Sequence, residues 1–205
     1  MDKEKFKSKL ENYWYYYKYH TIGVVALVIT IVIVLQQCST IVKPDLTVIV
    51  ATQSTALSIE NQSKFRTYFQ SLTGDANKDG KKAVECDFFS FENSNTAVAQ
   101  KSSLISALLS DEYLIYIFDD QTLKSSVGDQ ISTTLVKIND ILPTEKLTDP
   151  YKLPIANTKL GKQAFAKNMA GFSIYVRTYN KNKSDKSNNA NIDNAIDVIK
   201  KLAGQ

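Results

Sequence analysis

The chain has 205 residues, 43% of them hydrophobic, and a net charge of +4. Setting aside about 40 residues for an N-terminal anchor leaves enough for one domain with its own core and too few for two. One histidine (His20) and two cysteines (Cys38, Cys86) exclude Ser-His-Asp, Cys-His and histidine-zinc chemistry beyond the anchor, and they make no disulfide framework.

The first element reads as a membrane anchor. Residues 22–35, IGVVALVITIVIVL, carry no charge. A span needs ~20 residues, and the aromatic run Tyr13, Trp14, Tyr15, Tyr16, Tyr17 and Tyr19 supplies the rest, with ring bodies in hydrocarbon and polar tips at the headgroups. Lys3, Lys5, Lys7, Lys9 and Lys18 precede the span and only Lys43 follows closely, so the N-terminus is expected inside. The organisation that follows is residues 1–19 as a cytoplasmic basic and aromatic segment, 20–37 as one transmembrane helix in contact with the lipid bilayer, 38–44 as a linker and 45–205 as an extracytoplasmic domain. Residues 1–17 suit either a short interfacial helix or a loosely ordered tail. A cleaved signal peptide and a lipidated Cys38 are the rival readings. No Ala-x-Ala follows the apolar core and Gln37 stands where a lipoprotein has a small residue, so an uncleaved signal anchor in the cell membrane is expected.

After Pro44 the pattern changes. Residues 45–51 are a β-branched run of the kind a buried parallel strand uses. Phe65, Tyr68, Phe69 and Leu72 fall on one helical stripe that Gly74 can end. A second strand is expected over 83–91, with Val84, Cys86 and Phe88 on one face. Ser94 or Asn95 can cap a second helix whose core face is Val98, Ile105, Leu108 and Leu109. Residues 113–118 form the third strand, so the order βαβαβ predicts a mostly parallel sheet between layers of helices, a three-layer α/β domain. Beyond Gly128 the expectations are a short strand at 134–138, a turn at 139–143, a weak helical stretch at 160–169, a strand at 172–179 and a polar loop at 181–190. A last helix carries Ile192, Ala195, Ile196 and Ile199, with Asp193 and Asp197 toward its start and Lys200 and Lys201 at its end, where the helix dipole favours them.

Residues 104–120, LISALLSDEYLIYIFDD, are similar to the helix–strand step of extracellular solute-binding proteins of the type 2 periplasmic-binding fold. Residues 138–143 (INDILP), 151–154 (YKLP) and the stretch from Tyr179 to Leu202 resemble further segments of that family. The layout also resembles membrane-anchored Firmicutes proteins of uncharacterised role. The resemblance implies a solute-binding-like cleft. The family, however, inserts a whole second lobe, and the roughly 30 residues between Pro143 and Phe172 hold no second sheet of the usual size. One lobe with half a cleft is expected.

Two constellations stand out. Asp75-Ala-Asn77-Lys-Asp79-Gly80 matches the first half of a calcium loop, but Cys86 occupies the twelfth position, where a bidentate glutamate belongs. A polar turn is the competing reading for Asp75, Asn77 and Asp79. In an open parallel sheet, ligands bind beyond the C-terminal strand ends, which here are Thr52, Gln53, Ser54, Glu92, Asn93, Asp119 and Asp120. Helix capping is the competing role for Asp119 and Asp120. With no Gly-rich phosphate loop and no separated carboxylate pair, the expectation is a membrane-tethered binding or interaction module without catalytic activity or cofactor. Its partner is expected to be a protein of the cell envelope. A solute receptor subunit feeding a transporter or sensor is the alternative. The balanced charge outside the anchor offers nucleic acid no basic stripe.

Overall fold

Helix α1 (Lys3–Ser39) runs unbroken over 37 residues, which hold no proline and a single glycine, Gly23. The computed structural model describes residues 3–39, 43–53, 57–91, 94–110, 112–126, 131–179 and 186–205. It divides into two units, Met1–Val42 and Lys43–Gln205. Within α1 the segment Glu11–Gln36, of mean hydropathy 2.1, is long and apolar enough to cross a membrane. Ile31, Val32, Ile33 and Val34, four consecutive positions, point to different sides and are all exposed, so the helix is apolar all round. Thr21 and Thr30 donate their hydroxyls to the carbonyls of Tyr17 and Ala26, the internal satisfaction an apolar surrounding demands. The residues before the span continue the same helix.

In the second unit β1 (Leu46–Thr52) is buried along its whole length. Leu46, Val48 and Val50 face one side of the sheet, and Ile49 and Ala51 the other. A strand covered on both faces reads as a continuous apolar run, which is why it was plain in the sequence. Helix α2 (Ile59–Leu72) lays Phe65 and Phe69, stacked at 4.5 Å, on the first face. Helix α7 (Lys186–Ala203) adds Ile192, Ala195, Val198, Ile199 and Leu202 to it. The second face takes Leu104 from α3 (Ser94–Leu109) and Leu123 from α4 (Asp120–Ser126), closing over Tyr116, Phe118 and Tyr175.

The sheet order is β2-β1-β3-β6-β4, with β2 at Val84–Ser90, β3 at Ile115–Asp119, β4 at Leu135–Val136 and β6 at Phe172–Arg177. Strands β2, β1 and β3 are parallel. Strand β6 runs antiparallel to β3, and β4 and β5 (Leu153–Pro154) run antiparallel along the far side of β6. The sheet is therefore mixed. The expectation of parallel pairing holds for its first three strands only, because alternation fixes which residues face the core and says nothing of strand direction. The edge strand β2 is covered from outside: Arg66 donates to the Cys86 carbonyl, Gln70 to the Lys82 carbonyl, and the Ser90 amide donates to Gln100.

Several expected details are corrected. The core residue of α3 is Leu104, with Ala107 and Leu108 packed beside it. Val98 and Leu109 are 76% and 78% exposed and Ile105 is 43% exposed, so the helix is rolled away from the face first assigned to it. Residues 131–134 and 138–141 form helical turns, α5 (Ile131–Thr134) and α6 (Ile138–Ile141), and the helical part of 160–169 is a 3-10 segment at Ala164–Met169. Helix α7 begins inside the expected polar loop, so Asp193 and Asp197 lie past its first turn. Asp197 instead pairs with Lys201 at 2.6 Å. Gly74 does not end α2; Thr73 does, its amide and hydroxyl both donating to the Phe69 carbonyl. Gly204 (φ +95) ends α7, with the Gln205 amide reaching back to the Lys200 carbonyl at 2.9 Å, a close that needs a left-handed residue.

At the start of β1 a buried polar knot joins three distant segments. The fully buried Asp45 carboxylate accepts from the amides of Ala76 (2.8 Å), Asn77 (3.0 Å) and Ala83 (2.9 Å). Asn194 of α7 donates to the Asp45 carbonyl (2.9 Å) and the Gly74 carbonyl (3.2 Å), and accepts from the Gly74 amide (2.8 Å). Asn194→Ala would strand the Gly74 amide and two carbonyls in a buried place, each worth ~1–3 kcal/mol when unmet. Urea unfolding should show a loss of roughly 2–4 kcal/mol for Asn194→Ala. The exposed change Lys200→Ala on the same helix should stay within about 0.5 kcal/mol. Equal effects would mean that the knot adds nothing.

Candidate functional site

The residues that follow β1 and β2, the N-terminal half of α3 and helix α4, which follows β3, surround a cleft of about 310 Å3. It is lined by Gln53, Phe91, Ala97, Val98, Lys101, Gln121 and Ser125. Its lining combines apolar side chains (Phe91, Ala97 and the largely exposed Val98) with two amides, a hydroxyl and one ammonium. Lys101 is the single charged residue of α3 and has no carboxylate partner among the described residues.

Asp119 sets the shape of this edge. It ends β3, and its Oδ1 accepts from the Thr122 amide at 2.7 Å, capping α4. Its Oδ2 accepts from the Gln53 amide at 3.0 Å, which ties the end of β1 to the start of α4. Half-burial alone would raise its pKa. The Thr122 and Gln53 amides and the Thr52 hydroxyl outweigh that and hold the carboxyl below its ordinary value. Asp120 turns away to an ion pair with Lys152.

Of the residues expected on this edge, the fold thus brings Thr52, Gln53 and Asp119 together and sends Asp120 elsewhere. Ser54, Glu92 and Asn93 lie outside the described residues. Sequence reasoning missed Phe91, Ala97, Val98, Lys101, Gln121 and Ser125. The available signal was the isolation of Lys101 in an otherwise uncharged helix.

The loop Asp75–Gly80 sits at the other end of the sheet, before β2. Its side chains bond its own backbone: Asp75 accepts from the Asp79 amide (3.2 Å) and the Gly80 amide (2.9 Å), Asn77 from the Asp79 amide (2.9 Å), and Asp79 from the Lys81 amide (2.8 Å). Lys78 (φ 60) and Gly80 (φ 81) make the turn. Among the described residues no three His, Cys, Asp or Glu side chains come together in a metal-holding group. Cys86, free and buried, has its thiol pushed up to about 12 by burial, so it packs as a small apolar side chain.

A second, shallower groove of about 520 Å3 lies between β2 and α3, lined by Asp87, Phe89, Ser103, Ser106, Ser110 and Tyr113 among others. There the Tyr113 hydroxyl donates to Asp87, and burial, followed by that bond, pushes its phenol up. No family model, curated protein or solved structure matches the chain.

The Asp119 pairing has a definite pH signature. A carboxyl depressed by folding stabilises the fold above its unfolded pKa of about 3.9, and that contribution is lost as pH falls through the lower folded value. Asp119→Asn keeps one acceptor and loses the charge. It should reduce stability at pH 7 by about 1 kcal/mol, and its stability should fall less steeply than that of the parent chain between pH 4 and pH 2. Parallel acid limbs in urea titrations would contradict this role.

Proposed function

We propose that this chain is a non-catalytic, membrane-tethered module whose domain lies outside the cytoplasm and docks a protein of the cell envelope at the strand-end cleft. The observation that carries the reading is the composition of that cleft: apolar side chains, neutral amides and one ammonium without a carboxylate partner among the described residues, beside an Asp119 carboxylate already engaged by two backbone amides. Such a surface offers complementarity and a charge of fixed sign, and it offers no acid–base pair. The lysine asymmetry about the apolar helix supports an inward N-terminus.

The alternative is a solute receptor subunit. It is favoured by the cleft's place at the ends of parallel strands and by the resemblance to one lobe of a type 2 periplasmic-binding protein. Against it stands the size of the site. At about 310 Å3 the cleft is at the lower end of small-molecule pockets and faces solvent. Each hydrogen bond made there nets only ~0.5–1.5 kcal/mol, and a few of them must offset several kcal/mol of association entropy. A protein can close the open side and exclude the water.

Calorimetry of the full-length chain in nanodiscs, against pools of sugars, amino acids and short peptides, should show no binding tighter than about millimolar, near −4 kcal/mol. A micromolar solute bound by a demonstrably monomeric chain would establish the receptor reading instead.

A further inference from the structure

Helix α3 does not fill the space between itself and the edge strand β2. The side it turns to that strand carries Ser103, Ser106, Ala107 and Ser110, whose spacing puts them on one helical face. Large apolar residues there would close the gap. Small ones leave the groove of about 520 Å3, in which Phe89 offers an apolar patch and Asp87, Glu112 and Tyr113 offer polar atoms.

The hydrogen bonding of this lining is one-sided. The Ser106 hydroxyl donates to the Ser102 carbonyl (3.0 Å) and the Ser110 hydroxyl to the Ala107 carbonyl (2.9 Å). Each has spent its proton and keeps only lone pairs. Tyr113, 8% exposed, gives its proton to Asp87. Burial, then that bond and the charges of Asp87, Glu85 and Glu112, push the phenol up, so it stays a protonated donor. The bond uses Asp87 Oδ2. Asp87 Oδ1 and the Glu112 carboxylate have no donor or ion-pair partner among the described residues. No cationic or amide side chain lines the groove. The Arg177 guanidinium donates to the Ser110 carbonyl and the Thr47 hydroxyl to the Glu112 carbonyl, so β6 and β1 hold the turn from α3 to β3 on both sides. The acceptors are thus in place before a ligand arrives.

We propose that this groove binds a small aliphatic di- or polyamine, with ammonium groups on Asp87 and Glu112 and the methylene chain along Phe89. An ammonium has three donors and no acceptor, the complement of a lining that offers acceptors and negative charge. A neutral polyol brings acceptors as well as donors and leaves both charges unmet, and an anion is repelled. Two carboxylates favour two ammonium groups over one. The site is separate from the strand-end cleft and does not depend on what docks there. The groove faces solvent, so its ion pairs are weak and screened by salt, and the affinity expected is about millimolar at low ionic strength.

The test is ligand-detected NMR of 1,4-diaminobutane with the full-length chain in nanodiscs of zwitterionic lipid, with empty nanodiscs as the blank. The diamine should bind roughly fivefold more tightly than 1-aminobutane, the worth of one further exposed ion pair. The neutral 1,4-butanediol should give no signal above the blank. Asp87→Asn keeps an acceptor for Tyr113 and removes the charge. Combined with Glu112→Gln it should weaken the diamine by about tenfold or more. Ser106→Leu, at an exposed position, leaves the net charge unchanged and fills the groove, and it should weaken the diamine as much without lowering the thermal midpoint. Diamine binding that survives Ser106→Leu would be diffuse attraction to a negative surface and would overturn the inference. Equal binding of 1,4-butanediol, or no diamine binding by the parent chain, would overturn it too.

Discussion

One buried carboxylate organises the second unit of this chain. Asp45 stands at the head of β1, the strand that β2 and β3 flank, and accepts three backbone amides from the loop that leads into β2. Its own amide donates to the Ala83 carbonyl, and its carbonyl is held by Asn194 of α7. A charge in that position is tolerable only if fully bonded. The chain therefore has to bring residues 74–83 and α7 to the start of β1 together. That requirement fixes how β2 enters beside β1 and how deep α7 sits on the first face. Lys201 adds a second tie between α7 and α2 by donating to the Leu72 carbonyl at 2.8 Å.

The opposite end of the sheet follows the same logic with a different acid. Asp119 ties the end of β1 to the start of α4 and so spaces the walls of the cleft. The sheet is closed by a carboxylate at each end, and the cleft lies at the end where the acid is only half-buried. In the proposed topology the anchor joins the domain through the short stretch before Asp45, so the knot is also the point at which tether and sheet meet in the chain.

Much of this was legible in the sequence, and the failures have physical causes. Strands β1 and β3 announced themselves because burial on both faces requires runs such as Leu46–Ala51 and Ile115–Phe118. Helix α3 misled because Leu104 and Leu108 on one side, and Val98, Ile105 and Leu109 on the other, are equally apolar; periodicity reveals a stripe and cannot say which of two stripes is covered. The direction of β6 was hidden because partners as far apart in the chain as Ile115 and Val176 leave no local trace. Asn194 was overlooked between Ile192 and Ala195 because a polar residue on a buried helix face signals a partner without naming it. At this end of the sheet Thr52, Gln53 and Asp119 were legible from topology, though only Gln53 of the three lines the cleft, whereas Phe91, Lys101 and Gln121 meet only through the packing of α3 and α4.

The claim on which the rest depends is that the Asp45 knot opens only when the domain does. Native-state hydrogen exchange of the full-length chain in nanodiscs tests this directly. The amides of Gly74, Ala76, Asn77 and Ala83 lie in a loop, yet they should exchange as slowly as those of Val48 and Ile49 in β1, through global unfolding. The Gly80 amide, bonded only within its own turn at 2.9 Å, should exchange much faster. If the four knot amides exchanged at the rate of Gly80, the knot would be a surface turn and the account built on it would fail.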